Sequence, residues 1–157
     1  MKVNIPKYGT INIENVILDI NGTIQFEGKI QEALVPKMKE LKEHYNVFLV
    51  SSDTRGNLKE LAGKLEVDYI RIKDQEGPDV EAKNKELLKL GKHKTVTIGN
   101  GNNDFMMLQN AVLGLVIIGS EGASTKAIIN ADVAFPDPIS AINFLLDKKI
   151  MIATLRK

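Results

Sequence analysis

The sequence predicts an α/β fold built on a doubly wound, mainly parallel sheet, in a single domain spanning residues 1–157. Three observations carry this expectation. Short apolar runs alternate with stretches of helical periodicity. The chain length suits one hydrophobic core and leaves little for a second. No internal repeat, low-complexity tract or linker interrupts the pattern.

In chain order, residues 1–14 form a polar hairpin turning near Lys7-Tyr8-Gly9, and Val16–Asp19 is the first core strand. A helix near Glu32–Tyr45 carries Leu34, Val35, Met38, Leu41 and Tyr45 at helical spacing. Pro36 is tolerated in its first turn, where amides lack partners anyway. Val47–Val50 is a strand, Asn57–Leu65 a helix, and Tyr69–Ile72 a shorter strand. Val80–Leu90 is helical, with Leu87, Leu88 and Leu90 turned inward and Gly91 ending it. Strands at Thr95–Ile98, Leu115–Ile118 and Val133–Phe135 alternate with helices at Asp104–Asn110 and Ala123–Asn130. The core, residues 15–146, closes with a helix at Ile139–Leu146, and residues 147–157 are a tail packed on the outside.

Composition narrows the function. A formal net charge of +1 with interspersed signs leaves no broad basic field, and 5% aromatic residues leave few base-stacking platforms. No nucleic-acid partner is expected. The absence of cysteine excludes disulfides, thiolate catalysis and cysteine-zinc sites. The N-terminus lacks the apolar core of a signal peptide, and the longest apolar stretch, Ala111–Gly119, is too short to span a bilayer. The expected location is the cytoplasm, without a membrane partner.

The chemistry sits where apolar strands end in polar residues, because ligands of such sheets bind beyond the carboxyl ends of the strands. The candidate runs are Asp19 with Asn21-Gly22-Thr23, then Ser51-Ser52-Asp53, then Gly99–Asp104, with Lys83 on the helix between. A carboxylate can attack phosphorus, a hydroxyl and a lysine can hold phosphoryl oxygens, and a second carboxylate can hold Mg²⁺. Each residue has a plainer reading. The two Asn-Gly pairs are common turn dipeptides, and Asp53 reads as a helix cap more than as a catalytic group. Ser52 reads as a turn or packing residue, and Asn102, Asn103 and Asp104 could cap the following helix. Met106 and Met107 read as core, while His44 and His93 face solvent. Lys85 competes with Lys83, and counting back from Gly91 favours Lys83.

At these residues the sequence resembles the haloacid dehalogenase superfamily, and within it the phosphorylation domain of P-type ATPases. Asp19-Ile20-Asn21-Gly22-Thr23 resembles the first motif, Ser51 with Ser52-Asp53 the second, Lys83 the third, and Gly99–Asp104 the fourth. The resemblance implies a Rossmann-like fold, here without a cap domain, since only Gln25–Ile30 separates the first motif from the first helix. It implies Asp19 as nucleophile, with Asn21, Thr23, Ser51 and Lys83 as the other catalytic residues. Ser51, Ser52 and Lys83 would bind phosphate, and Asp19, Asn21, Asn100 and Asp104 would hold Mg²⁺.

Two positions depart from the family. Asn21 stands where the family's acid/base aspartate would be, and Asn100 where a metal-binding aspartate is usual. The expectation is a slow Mg²⁺-dependent phosphohydrolase acting through an aspartyl-phosphate, favouring leaving groups that need no proton. Its substrate would be a phosphorylated small molecule or protein, and a homo-oligomer could cover the open site. The alternative is a catalytically degenerate domain that serves as a binding or regulatory module. A two-component receiver domain is disfavoured, because there the phosphorylated aspartate lies on the third strand. Deamidation of Asn21 or Asn100, each followed by glycine, would restore the family's acids.

Overall fold

The computed structural model describes residues 1–73 and 77–157. Two sheets organise it. The N-terminal hairpin pairs β1 (Lys2–Ile5) with β2 (Gly9–Asn12), and six parallel strands form the main sheet. These are β3 (Asn15–Asp19), β4 (Asn46–Ser51), β5 (Asp68–Arg71), β6 (Thr95–Gly99), β7 (Leu113–Ile117) and β8 (Val133–Phe135). Their spatial order is β5-β4-β3-β6-β7-β8, so the order reverses between β3 and β6. Such a reversal opens a crevice at the carboxyl ends of the two central strands.

The helices are α1 (Leu34–Lys42), α2 (Leu58–Leu65), α3 (Asp79–Leu90), α4 (Phe105–Asn110), α5 (Thr125–Asn130), α6 (Pro138–Leu146) and α7 (Lys148–Leu155). Strand periodicity divides the core between the two faces of the sheet. Val16 and Leu18 of β3 join Leu34, Met38 and Leu41 of α1 and Phe144 of α6 on one face. Ile17 points the other way, to Ala82 and Leu87 of α3 and Met107 of α4. Burial on both faces explains why these strands read as continuous apolar runs. Among the described residues no cap domain is inserted after β3 or between β4 and α3: residues 20–33 make a tight flap with isolated bridges at Asn21–Gln25 and Phe26–Lys29, and the second stretch holds α2 and β5.

Several expectations need correction. The hairpin is not merely polar, because Val3, Ile5, Ile11 and Ile13 are buried in the main core. Leu88 faces outward at 51% exposure, and Leu90 is only partly buried. The inward face of α3 is Ala82, Lys83 and Leu87. The C-terminal tail is a helix, capped by Asp147, whose Met151 is fully buried and whose Leu155 also joins the core. Helix α1 starts at Leu34 and ends before Tyr45, whose hydroxyl donates to the Leu145 carbonyl at 2.7 Å. Ile118 lies beyond β7 and is exposed.

Candidate active site

Asp19 ends β3 on the same face as Ile17, which turns its carboxylate toward α3 and α4. Lys83, in the second turn of α3, is 1% exposed and donates from Nζ to Asp19 Oδ1 and to Asp104 Oδ1, each at 2.7 Å. The other Asp104 oxygen accepts from the amides of Asn100 (3.0 Å) and Gly101 (2.9 Å). Gly99 makes room for this: a Cβ there would stand 2.6 Å from the Asp104 carboxyl carbon. The loop after β6 is thus wound around one buried carboxylate, which in turn holds the lysine against Asp19.

Two carboxylates share this one ammonium, so the cluster carries a net negative charge in a dry setting. Burial and the neighbouring Asp104 raise the Asp19 carboxyl from 3.8 to about 6, against the opposing pull of Lys83 and Thr23. Burial by itself would lower Lys83, but the two carboxylates more than reverse it and hold its pKa above the usual lysine value. Lys83 is therefore a permanent cation, and Asp19 takes up a proton in mild acid.

Thr23 closes the other side of Asp19. Its hydroxyl lies 3.0 Å from Asp19 Oδ2 and 3.3 Å from Asn100 Oδ1, and its one proton can serve only one of them at a time. The loops carrying these residues touch directly, since Gly22 (φ 76°) has no room for a Cβ against the Asn100 amide. Asn100 Nδ2 also donates to the Gly122 carbonyl at 3.3 Å. Ser51, one residue past the register partner of Asp19, accepts from the Asp53 amide at 2.9 Å. That bond leaves the hydroxyl proton of Ser51 for a further acceptor. Asn21 Oδ1 accepts from Arg55 Nε at 3.0 Å.

No family model matches the chain. An uncharacterised protein of Methanocaldococcus jannaschii is 44% identical over 63 residues, covering 40% of this chain and 68% of its own length, and the two belong to one family. A second uncharacterised protein of that organism is 41% identical over 39 residues, 25% of this chain and 89% of its own. Among solved structures, the 3-deoxy-D-manno-octulosonate 8-phosphate phosphatase of Moraxella catarrhalis, in complex with magnesium, phosphate and KDO, superposes with a TM-score of 0.71 at 14% identity. The match covers 92% of this chain and 94% of that one. The cobalt-bound deoxy-D-mannose-octulosonate 8-phosphate phosphatase of Haemophilus influenzae gives 0.68 at 14% identity, over 92% and 90% of the two chains. A haloacid dehalogenase-like hydrolase of Bacteroides thetaiotaomicron gives 0.66 at 10% identity, over 85% and 100%. This chain has the capless haloacid dehalogenase fold.

In that haloacid dehalogenase frame, Asp19, Thr23, Lys83, Asn100 and Asp104 meet in one cluster, and Ser51 ends the strand beside it. Asn21 leans outward to Arg55. Lys85 is exposed, which resolves the choice between the two lysines. Asp53 caps α2, accepting from the Leu58 amide at 2.9 Å, and Ser52 makes no side-chain hydrogen bond with a described residue. Asp104, expected as a metal ligand, accepts from Lys83 on one oxygen and from the two loop amides on the other. Among the described residues no three His, Cys, Asp or Glu side chains group as a metal site. Deamidation is disfavoured because the amides that would attack are tied up: Gly22 donates to the Gln25 carbonyl, and Gly101 to Asp104. His44 and His93 are exposed, and Met107 is core. Arg55 is the residue that motif reasoning passed over. Its only signal was a position just past the Ser51–Asp53 run.

Proposed function

We propose that this chain is a Mg²⁺-dependent phosphohydrolase that works through phospho-Asp19 and turns over slowly. The observation that carries the reading is the buried Asp19–Lys83–Asp104 cluster at the strand-order reversal, with Thr23 on the second Asp19 oxygen. An ionised Asp19 oxygen attacks phosphorus as the bond to the leaving oxygen breaks, and the bonding pair departs with that oxygen. Lys83 and the Ser51 hydroxyl supply positive charge and a donor to the phosphoryl oxygens. Water then attacks the phospho-Asp19 phosphorus, the carboxylate leaves, and a proton passes to solvent.

The donors that would hold Mg²⁺ are the Asp19 and Asp104 carboxylates, Asn100 Oδ1 and Asn21. All are hard oxygens, and one or two carboxylates plus substrate phosphate lie within what Mg²⁺ accepts. When bound, the ion would neutralise phosphoryl charge. Asn21 can neither protonate a leaving group nor activate water, a loss of about 10²–10⁴ in rate for a general acid/base. Acyl phosphates, whose leaving groups are stable anions, are the favoured class of donor. A phosphorylated small molecule or protein would serve as substrate. We assign the chain to the cytoplasm, in keeping with its lack of cysteine and of any described helix long and apolar enough to cross a membrane. A second copy could cover the open crevice.

Incubation with acetyl phosphate and Mg²⁺ should add one phosphoryl mass at Asp19, and Asp19→Asn should abolish it. A wild-type protein that stays unmodified would overturn the reading. One observation favours the degenerate alternative, in which the fold is kept for binding: Asn100 Nδ2 donates to the Gly122 carbonyl, a bond that an aspartate could not make.

A further inference from the structure

Arg55 presents a guanidinium at the rim of the crevice without an ionic partner. Its Nε is spent on Asn21 Oδ1, and among the described residues it forms no ion pair. An amide satisfies that N–H without neutralising the charge, whereas a carboxylate at position 21 would have paired with it. One terminal nitrogen lies over the flap, 3.3 Å from where a Gly28 Cβ would stand. Gly28 also begins a groove of about 330 Å³ between the flap and α2, walled by Gln25, Lys29, Asn57, Glu60 and Lys64. Gln25 is 3% exposed, and its Oε1 is the one buried side-chain oxygen or nitrogen among the described residues that lacks a hydrogen-bond partner. Buried acceptors of this kind are rare and call for a donor.

We propose that this groove is the subsite for the part of the substrate left behind after phosphoryl transfer, and that it selects ligands bearing a second anionic group. The inference rests on the phosphohydrolase reading. The ligand's second carboxylate or phosphate pairs with the free fork of Arg55 at the mouth of the groove. Gln25 lines the groove, and a hydroxyl or amino group of the ligand donates to its Oε1 once that atom, sealed from solvent in this structure, is uncovered. The volume matches a small metabolite rather than a folded protein surface. A guanidinium fork suits planar and tetrahedral oxyanions alike, so the shared chemistry is a second oxyanion on a small phosphate ester.

The test is calorimetric binding to Asp19→Asn protein, which holds ligand without turning it over, with wild type in EDTA as the second background. The first pair of probes is 3-phosphoglycerate and glycerol 3-phosphate, which differ by a carboxylate. The second is glucose 1,6-bisphosphate and glucose 1-phosphate, which differ by a phosphate. The expected result is binding about tenfold or more tighter for the doubly anionic member of at least one pair, as a charge-assisted contact to the guanidinium would give. Preference in the first pair alone assigns the subsite to carboxylates, and preference in both assigns it to any oxyanion. Adding Arg55→Ala should erase the difference, and Arg55→Lys should keep part of it. Equal affinities within both pairs, or a preference that survives Arg55→Ala, overturns the proposal. Wild-type labelling by acetyl phosphate is read separately: labelling without a binding preference sinks the subsite alone, and no labelling sinks the phosphohydrolase reading on which it rests.

Discussion

Lys83 Nζ stands 2.7 Å from Asp19 Oδ1 and the same distance from Asp104 Oδ1, with all three side chains withdrawn from solvent. One ammonium therefore offsets two carboxylates from two distant segments, and it ties the end of β3 to the start of α4 through α3. Removing one partner of such a cluster is costly because the others remain buried and uncompensated.

Lys83→Met should accordingly destabilise the fold by about 3–5 kcal/mol at neutral pH. The deficit should narrow at pH 4.5, where Asp19 can escape by protonation. Urea unfolding of both proteins at the two pH values measures it. A deficit independent of pH would mean that packing, not charge, is what the lysine provides.

Asp19 makes metal-free stability depend on pH. Its folded pKa of about 6 lies above the ordinary 3.8, so the folded state binds this proton more tightly than the unfolded one. The contribution is complete below about pH 4 and is lost as pH rises through about 6. The shift corresponds to roughly 3 kcal/mol. In EDTA, the stability of wild type minus that of Asp19→Asn should fall across this window. A difference that rises with pH would contradict the assignment.

Asn21→Asp should speed turnover by less than the motif alone suggests. Arg55 would pair with the new carboxylate, hold it ionised and make it a poor proton donor. Most of the gain should appear only in Asn21→Asp/Arg55→Ala, and chiefly with alkyl phosphates, whose leaving oxygens need a proton. Steady-state kcat for an alkyl and an aryl phosphate across the three variants distinguishes the cases.

Asn100→Asp exchanges one property for another. The new carboxylate should tighten Mg²⁺ binding by adding charge to the donor set. It also loses the donor to the Gly122 carbonyl and sets a negative charge against it, at a cost of about 1–3 kcal/mol in the metal-free protein. Calorimetric Mg²⁺ titration and thermal unfolding in EDTA should therefore move in opposite directions.

The meeting of polar residues at the strand ends was legible in the sequence because a parallel strand buried on both faces announces itself as an apolar run, and Asp19 breaks the run at β3. The choice of Lys83 over Lys85 was legible too, although the reason was not. On α3, Leu88 lies roughly 140° around the helix from Lys83, so the presence of a lysine on the buried face turned a leucine outward. A reading that sends every leucine inward cannot find that. The hairpin misled in a similar way: its lysines and asparagines alternate with Val3, Ile5 and Ile11, and the alternation carried the signal that overall polarity hid. The Arg55–Asn21 contact and the bond from Lys83 to Asp104 depend on loop geometry between distant segments, which no local pattern encodes.

The contact between Gly22 and Asn100 has a consequence for how this site can vary. Position 22 is confined to glycine by a side chain 78 residues away, and that side chain owes its place to the glycine. Substitutions at the two positions should be strongly non-additive. Gly22→Ala should be nearly intolerable with Asn100 present and milder with Asn100→Gly, where only the cost of its φ of 76° remains. Positions 22 and 100 thus constitute a single unit of inheritance, and a larger residue at one is admissible only in the company of a smaller residue at the other.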